Sequence, residues 1–150
     1  MKEWRCIIRV IIAGDRDISE QNFKLIDAAI SASKFKITAV VSGTAKGGDK
    51  LGEKWASVNG VRVTKFPAKW KELDAPGALV KEGEYGKYNA RAGFDRNQEM
   101  ADYADALIAL QPDGPTDGTS DMITRAKAKG IPVFIYPEVY ERTSEFCYTF

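Results

Sequence analysis

The chain has 150 residues, enough for one domain with a substantial core. Its 22 basic and 21 acidic residues are mixed along the chain and give a net charge of +1, so no basic field supports nucleic-acid binding by bulk electrostatics. There is no histidine, which excludes Ser-His-Asp and Cys-His catalysis, H-E-x-x-H metalloproteases and His-ligated zinc deaminases.

Any acid–base chemistry must therefore come from carboxylates, lysines, tyrosines or the ligand itself. No apolar run approaches the roughly 20 residues of a membrane span. Charges interrupt residues 1–5, and Arg9 splits the apolar run that follows, so no signal-peptide pattern is present. The expected location is cytoplasmic, without membrane attachment. Cys6 and Cys147 form no Cys-x-x-Cys pair and read as free thiols in a reducing compartment. The sequence calls for no cofactor and no metal.

Residues 6–13 (CIIRVIIA) are apolar at nearly every position, as in a parallel strand buried on both faces. Gly14, Asp15, Arg16 and Asp17 end it. Residues 19–22 (SEQN) open a helix in which Phe23, Ile26, Ala29 and Ile30 share one face. Residues 37–42 (ITAVVS) form a second strand. A glycine-rich loop, residues 43–49 (GTAKGGD), leads into a helix carrying Leu51, Trp55 and Val58, closed by Asn59 and Gly60. Residues 61–66 form a third strand, ended by Pro67.

Residues 69–88 differ. Pro76, Gly77, Gly83 and Gly86 break them, charges are frequent and no period is clean. They read as a long irregular insertion or lid, and loops of that length are usually functional or mobile. Residues 89–104 read as helical, at least from Phe94 onward. A fourth strand follows at 106–110, then turn residues from Asp113 to Gly118. Thr119 is the expected N-cap of the next helix. Gly130 ends that helix, and a fifth strand covers 132–136. The aromatic tail, 137–150, has no assignment.

Strands alternating with helices predict a single α/β domain over 1–150: a Rossmann-like three-layer sandwich with a mainly parallel five-stranded sheet. Right-handed crossovers leave few topologies, and the expected strand order is 3-2-1-4-5. The switch point then lies between strands one and four, and ligands bind there at the carboxyl ends of strands. Three loops converge on it: 14–17, 43–49 and 113–119.

Gly43 and Gly48 have the spacing of a P-loop, but Asp49 stands where that motif needs Lys. A carboxylate would repel a triphosphate, so a nucleoside-triphosphatase reading is rejected. No G-x-G-x-x-G follows strand one either. The remaining use of Gly43, Gly47 and Gly48 is close backbone approach to a ligand, or simply a tight strand-to-helix turn. Arg16 suits bidentate contact with phosphate or carboxylate, or else pairs with Asp15 or Asp17. Arg96 can point from its helix into the crevice, while Met100 packs in the core. Asp121 suits the helix dipole. Lys46 is the lysine best placed to face a ligand.

Five stretches in order, IAGDRD (12–17), VSGTAKGGD (41–49), FPAKW (66–70), RNQEM (96–100) and DGTSDM (117–122), resemble the YspA-related branch of the SLOG superfamily of Rossmann-like proteins. That superfamily also contains the "lonely guy" phosphoribohydrolases and the Smf/DprA proteins. The phosphoribohydrolases cleave the N-glycosidic bond of nucleoside 5′-monophosphates. The resemblance implies that Arg96 matches their catalytic Arg and that Gly118 and Thr119 match their phosphate-holding Gly-Thr. Met122 stands where their Glu would be, and Asn97 replaces a Lys. Deoxyribosyltransferases have a comparable loop and also need a following Glu.

Glycosidic cleavage passes through an oxocarbenium-like state that a carboxylate stabilises or attacks. A Met does neither. Asp121 is rotated about 100° around the helix, and Asp49 is the other available carboxylate. Arg96 and Asp49 are thus the catalytic candidates. The ligand-binding candidates are Gly14, Asp15, Arg16, Ser42, Gly43, Thr44, Lys46, Gly47, Gly48, Asn97, Gly114, Asp117, Gly118 and Thr119. Phosphate is expected against the amides of Gly118, Thr119 and residues 43–48, with Arg16 and Arg96 neutralising it and Asp49 or Asp15 accepting ribose hydroxyls.

Three readings follow. The first is a module that binds or senses a nucleotide or nucleotide-derived molecule, favoured by the missing Glu. The second is a nucleotide N-glycosidase or related transferase, favoured by Arg96 and the crevice. The third is a scaffold or nucleic-acid-associated protein, against which the absent basic stripe counts. The resemblance also implies a homo-oligomer, with residues 69–88 or the tail as contact.

Overall fold

The computed structural model describes residues 9–18, 22–112 and 114–137. Expectations for residues 6–8, Cys147, the helix start at 19–21, Asp113 and the tail beyond 137 lie outside these. Five strands form one parallel sheet: β1 (Arg9–Gly14), β2 (Ala39–Ser42), β3 (Arg62–Lys65), β6 (Ala106–Leu110) and β7 (Val133–Tyr136). Between β3 and β6 lies an antiparallel hairpin of β4 (Val80–Gly83) and β5 (Gly86–Asn89). The helices are α1 (Phe23–Ser33), α2 (Gly48–Asn59), α3 (Ala92–Tyr103) and α4 (Asp117–Lys129).

The sheet order is β3-β2-β1-β6-β7. Without the hairpin this is the expected 3-2-1-4-5, and the fold is Rossmann-like α/β. β2 and β6 are buried throughout, and β1 along all but its end residues, because helices cover both faces. Side chains alternate along each strand and so feed two cores. Val10 and Ile12, with Val40, Ile108 and Leu110, pack against Ile26 of α1 and Leu51, Trp55 and Ala56 of α2. Ile11 and Ala13, with Val41 and Leu107, pack against Met100 of α3 and Met122 and Ala126 of α4. A Cβ on Gly52 would lie 2.9 Å from Ile12 Cβ, so this glycine sets how closely α2 lies on β1.

Two expectations are corrected. Residues 69–88 are not irregular throughout: Gly83 pairs with Gly86, and a two-residue loop, Glu84 and Tyr85, closes the hairpin. Gly86, at φ 103°, supplies the left-handed turn, so the glycines read as breakers build this turn. The helix before β6 starts at Ala92, and Asn89 belongs to β5. Asn89 Oδ1 accepts the amides of Leu79 and Arg91 at 3.1 and 3.0 Å. Such side-chain bonds to nearby backbone compete with helix formation.

Candidate functional site

The carboxyl ends of β1, β2 and β6 open onto a two-lobed cleft. The inner lobe, about 470 Å³, is lined by Asp15, Arg16, Asp17, Asp49, Arg96, Asn97 and residues 116–119, above Ala13, Met100 and Met122. The outer lobe, about 450 Å³, is lined by Gly43, Thr44, Lys46, Pro67, Trp70, Gly93 and Phe94, among others. Arg16, Ala45, Arg96, Asn97, Asp117 and Gly118 line both and form the waist.

The first two loops are locked together. The backbone carbonyl of Asp15 accepts the amides of Gly48 and Ile18 at 3.0 and 3.3 Å. A Cβ on Gly47 would fall 1.9 Å from that same oxygen, and one on Gly48 would fall 2.5 Å from Gly14 Cα. These glycines therefore permit close approach of the protein to itself rather than to a ligand. Neither lines the cleft lobes. The same holds for Ser42, whose hydroxyl donates to Glu53 Oε2 at 2.6 Å and accepts the Thr44 amide at 3.0 Å. That bond helps hold Thr44 at φ 63°, a left-handed conformation that costs energy for a branched residue.

The Ala45 amide donates to Asp49 Oδ2 at 3.2 Å. The amides of Thr44, Ala45 and Gly48 are thus engaged within the protein. Further donors lie at the start of α4. Its first turn begins at Asp117, with Thr116 extended at φ −128°, ψ 162° as N-cap. The first intrahelical bond runs from the Ser120 amide to the Thr116 carbonyl at 2.8 Å. The amides of Asp117, Gly118 and Thr119 precede that bond and so face the cleft end of the helix without intrahelical partners. Thr119 is therefore not the N-cap but a buried first-turn residue. Gly118 has open space where a Cβ would go. Gly114 lines neither lobe.

Arg96 reaches from α3 across to the second loop. Its Nη1 donates to the Gly43 carbonyl and its Nε to Asn97 Oδ1 at 3.0 Å. Burial lowers its guanidinium below the usual range, and the charge of Asp49 opposes that shift. Asn97 then ties α3 to α4, donating to Asp121 Oδ2 at 3.0 Å and to the Gly118 carbonyl at 3.4 Å. Arg125 Nε closes on the same Asp121 oxygen at 2.8 Å. Asp121 thus braces two helices and is not a lining residue of either lobe.

Two buried carboxylates face the inner lobe. Burial pushes Asp49 up to about 6, against the Ala45 amide and the Arg96 charge, which favour its ionised form. Asp15 is 6% exposed, and its Oδ1 has no hydrogen-bond partner among the described residues. A buried polar atom left unmade costs free energy, so this oxygen asks for an external donor. Among the described residues, no group of three or more acidic or cysteine side chains is arranged to hold a metal ion.

Most of the lining was anticipated: Gly14, Asp15, Arg16, Gly43, Thr44, Lys46, Asp49, Arg96, Asn97, Asp117, Gly118 and Thr119 meet in the cleft. Trp70 and Phe94 were not. The available signal was an aromatic residue in a polar loop beyond the carboxyl end of a strand, where the crevice opens.

A parallel sheet of this order defines a Rossmann-like protein, and in folds of this class ligands bind at the switch point, beyond the carboxyl ends of the strands. Residues 8–72 match the model of the YAcAr family, the YspA, cpYpsA-related SLOG family. The match covers less than half of the chain. The X-ray structure of DNA processing protein A (DprA) from Streptococcus pneumoniae is similar over 91% of this chain and 52% of that one, at a TM-score of 0.60 and 18% identity. The chain thus spans about half of that protein, and at this identity the likeness is one of fold. No curated protein matches. No helix among the described residues is long and apolar enough to cross a membrane.

Proposed function

We propose that the chain binds a nucleotide or nucleotide-derived small molecule in this cleft, as a sensor or binding module. The observation that carries the reading is Asp15 Oδ1, buried at the inner lobe and without a partner among the described residues. It matches a ligand hydroxyl or amino hydrogen, as a ribose or a base supplies. Arg16, Arg96 and the first amides of α4 meet at the waist, where a phosphate gains both charge neutralisation and the helix-end donors. The similarity of residues 8–72 to a SLOG family supports nucleotide-related chemistry.

Met122 supports binding over turnover. It is 1% exposed, packs in the core beneath the inner lobe and offers no carboxylate. A second reading, N-glycosidic hydrolysis, is favoured by Asp49. A carboxyl pushed up to about 6 beside an arginine is suited to exchanging a proton near neutrality.

Thermal shift and calorimetry with a panel of nucleoside mono- and diphosphates test the binding reading. Saturable stabilisation that Arg96→Ala removes is the expected result. No stabilisation by any nucleotide would overturn it. Chromatography of the same mixtures for free base separates the two readings: base release that Asp49→Asn abolishes would replace the sensor with the hydrolase.

A further inference from the structure

The outer lobe has a wall that phosphate recognition does not need. Trp70 and Phe94 are 38% and 40% exposed and line it together. Single exposed aromatics are ordinary on a protein surface. These two differ in being fixed on the rim of a cleft. The Asn89 amide donates to the Trp70 carbonyl at 2.7 Å. Asn89 is 2% exposed, and its side chain also holds Leu79, Arg91 and, at 3.4 Å, the Glu72 carbonyl. Tyr88 of the hairpin meets the indole edge-on, with centroids 6.2 Å apart. The β4–β5 hairpin and the start of α3 thus share one buried hub, and that hub carries Trp70.

The indole edge packs onto the first turn of α3 at Gly93. A Cβ on Gly93 would lie 3.0 Å from Trp70 Cη2 and 3.6 Å from Arg96 Nη2. The indole and the waist arginine therefore converge on a residue with no side chain. The lobe also carries Arg16, Lys46 and Arg96 against Asp117. A flat apolar wall, a guanidinium and a cationic surround suit one chemistry: a planar aromatic ring joined to an anionic group.

We infer that Trp70 and Phe94 form a stacking subsite for the nucleobase, held in place by the Asn89-centred hairpin, so that the base lies in the outer lobe and the phosphate at the waist. The inference rests on the nucleotide-binding reading above. It assigns the insertion between β3 and α3 a role in ligand selection.

The test compares AMP, GMP, CMP and UMP with ribose 5-phosphate, which lacks the ring, by calorimetry and by tryptophan fluorescence. In the unaltered protein the best nucleotide is expected to bind at least ~10-fold tighter than ribose 5-phosphate and to quench emission. Trp70→Ala should erase that advantage while leaving ribose 5-phosphate binding unchanged. Trp70→Phe should retain most of it. Gly93→Ala keeps both aromatics but crowds the indole, and should reduce the advantage several-fold without loss of helix content. Phe94→Ala should have an intermediate effect. Nucleotide binding that depends on Arg96 yet is indifferent to Trp70→Ala and Gly93→Ala would overturn the subsite and leave the binding reading standing. Equal affinity for ribose 5-phosphate and every nucleotide would do the same. Absence of binding by all five compounds would overturn both.

Discussion

A Cβ on Gly47 would fall 1.9 Å from the carbonyl oxygen of Asp15, the atom on which the first two loops are fastened. Gly47 also sits at φ 81°, ψ −124°, a region that side chains avoid. Gly47→Ala must therefore push the loops apart. The expected loss is about 3 kcal/mol, measured by urea denaturation, together with loss of nucleotide-induced stabilisation. Gly118→Ala is the control. Nothing lies within 4 Å of its Cβ position, so its stability should stay within about 0.5 kcal/mol.

Asp15 tests whether the cleft is held ready for a ligand at the expense of stability. Its backbone carbonyl makes the loop contacts, so Asp15→Ala preserves them while removing the buried, unpartnered oxygen. The free variant should be as stable as the parent or up to about 2 kcal/mol more stable. Its nucleotide affinity should fall at least ~10-fold. A variant destabilised by more than about 1 kcal/mol would mean that the carboxylate supports the fold rather than a ligand.

Asp49 makes stability depend on pH. Its folded value, about 6, lies above the ordinary 3.8, so the folded protein holds a proton that the unfolded chain releases. Between those values stability falls as pH rises, and above about 6 the loss is complete. The shift corresponds to roughly 3 kcal/mol at most. Asp49→Asn removes this dependence. Urea denaturation should show the variant more stable than the parent at pH 7.5, with the difference closing by pH 4. A difference that is constant across this window would contradict the buried, protonatable carboxyl.

Met122→Glu would place a carboxylate where the phosphoribohydrolases carry theirs. Met122 is 1% exposed and packs with Ile11, Leu107 and Met100. A charge there loses its water, so the variant should be about 3 kcal/mol less stable at pH 7.5. Burial raises the new Glu, so it stays protonated in the folded state at lower pH. The penalty should then shrink towards pH 4, and chemical denaturation at the two pH values reads it directly.

The strand order and the two-sided burial of the sheet were legible because they follow from local pattern. Runs such as residues 106–110, apolar at every position, have only one stable environment, and short crossovers restrict how such strands can be ordered. The loops that converge at the carboxyl ends followed from that order. So did the cleft residues carried on them, from Asp15 and Arg16 to Gly118.

What each of those residues touches was a tertiary matter. Gly47 and Gly48 have the same local signature whether they clear room for a ligand or for Asp15 and Gly14, and only the packing of α2 against β1 chose the second. The start of α4 depended on which carbonyl captured the Ser120 amide. Arg96 finds the Gly43 carbonyl 53 residues away, and Trp70 is positioned by Asn89 beyond it in the chain. The sequence by itself determined the Rossmann-like frame, through the alternation of buried strands and amphipathic helices. The tertiary structure alone decided which donors stay free, which carboxylate is buried without a partner and which aromatics reach the cleft. Those properties depend on long-range contacts and on exclusion of water, which no local pattern encodes.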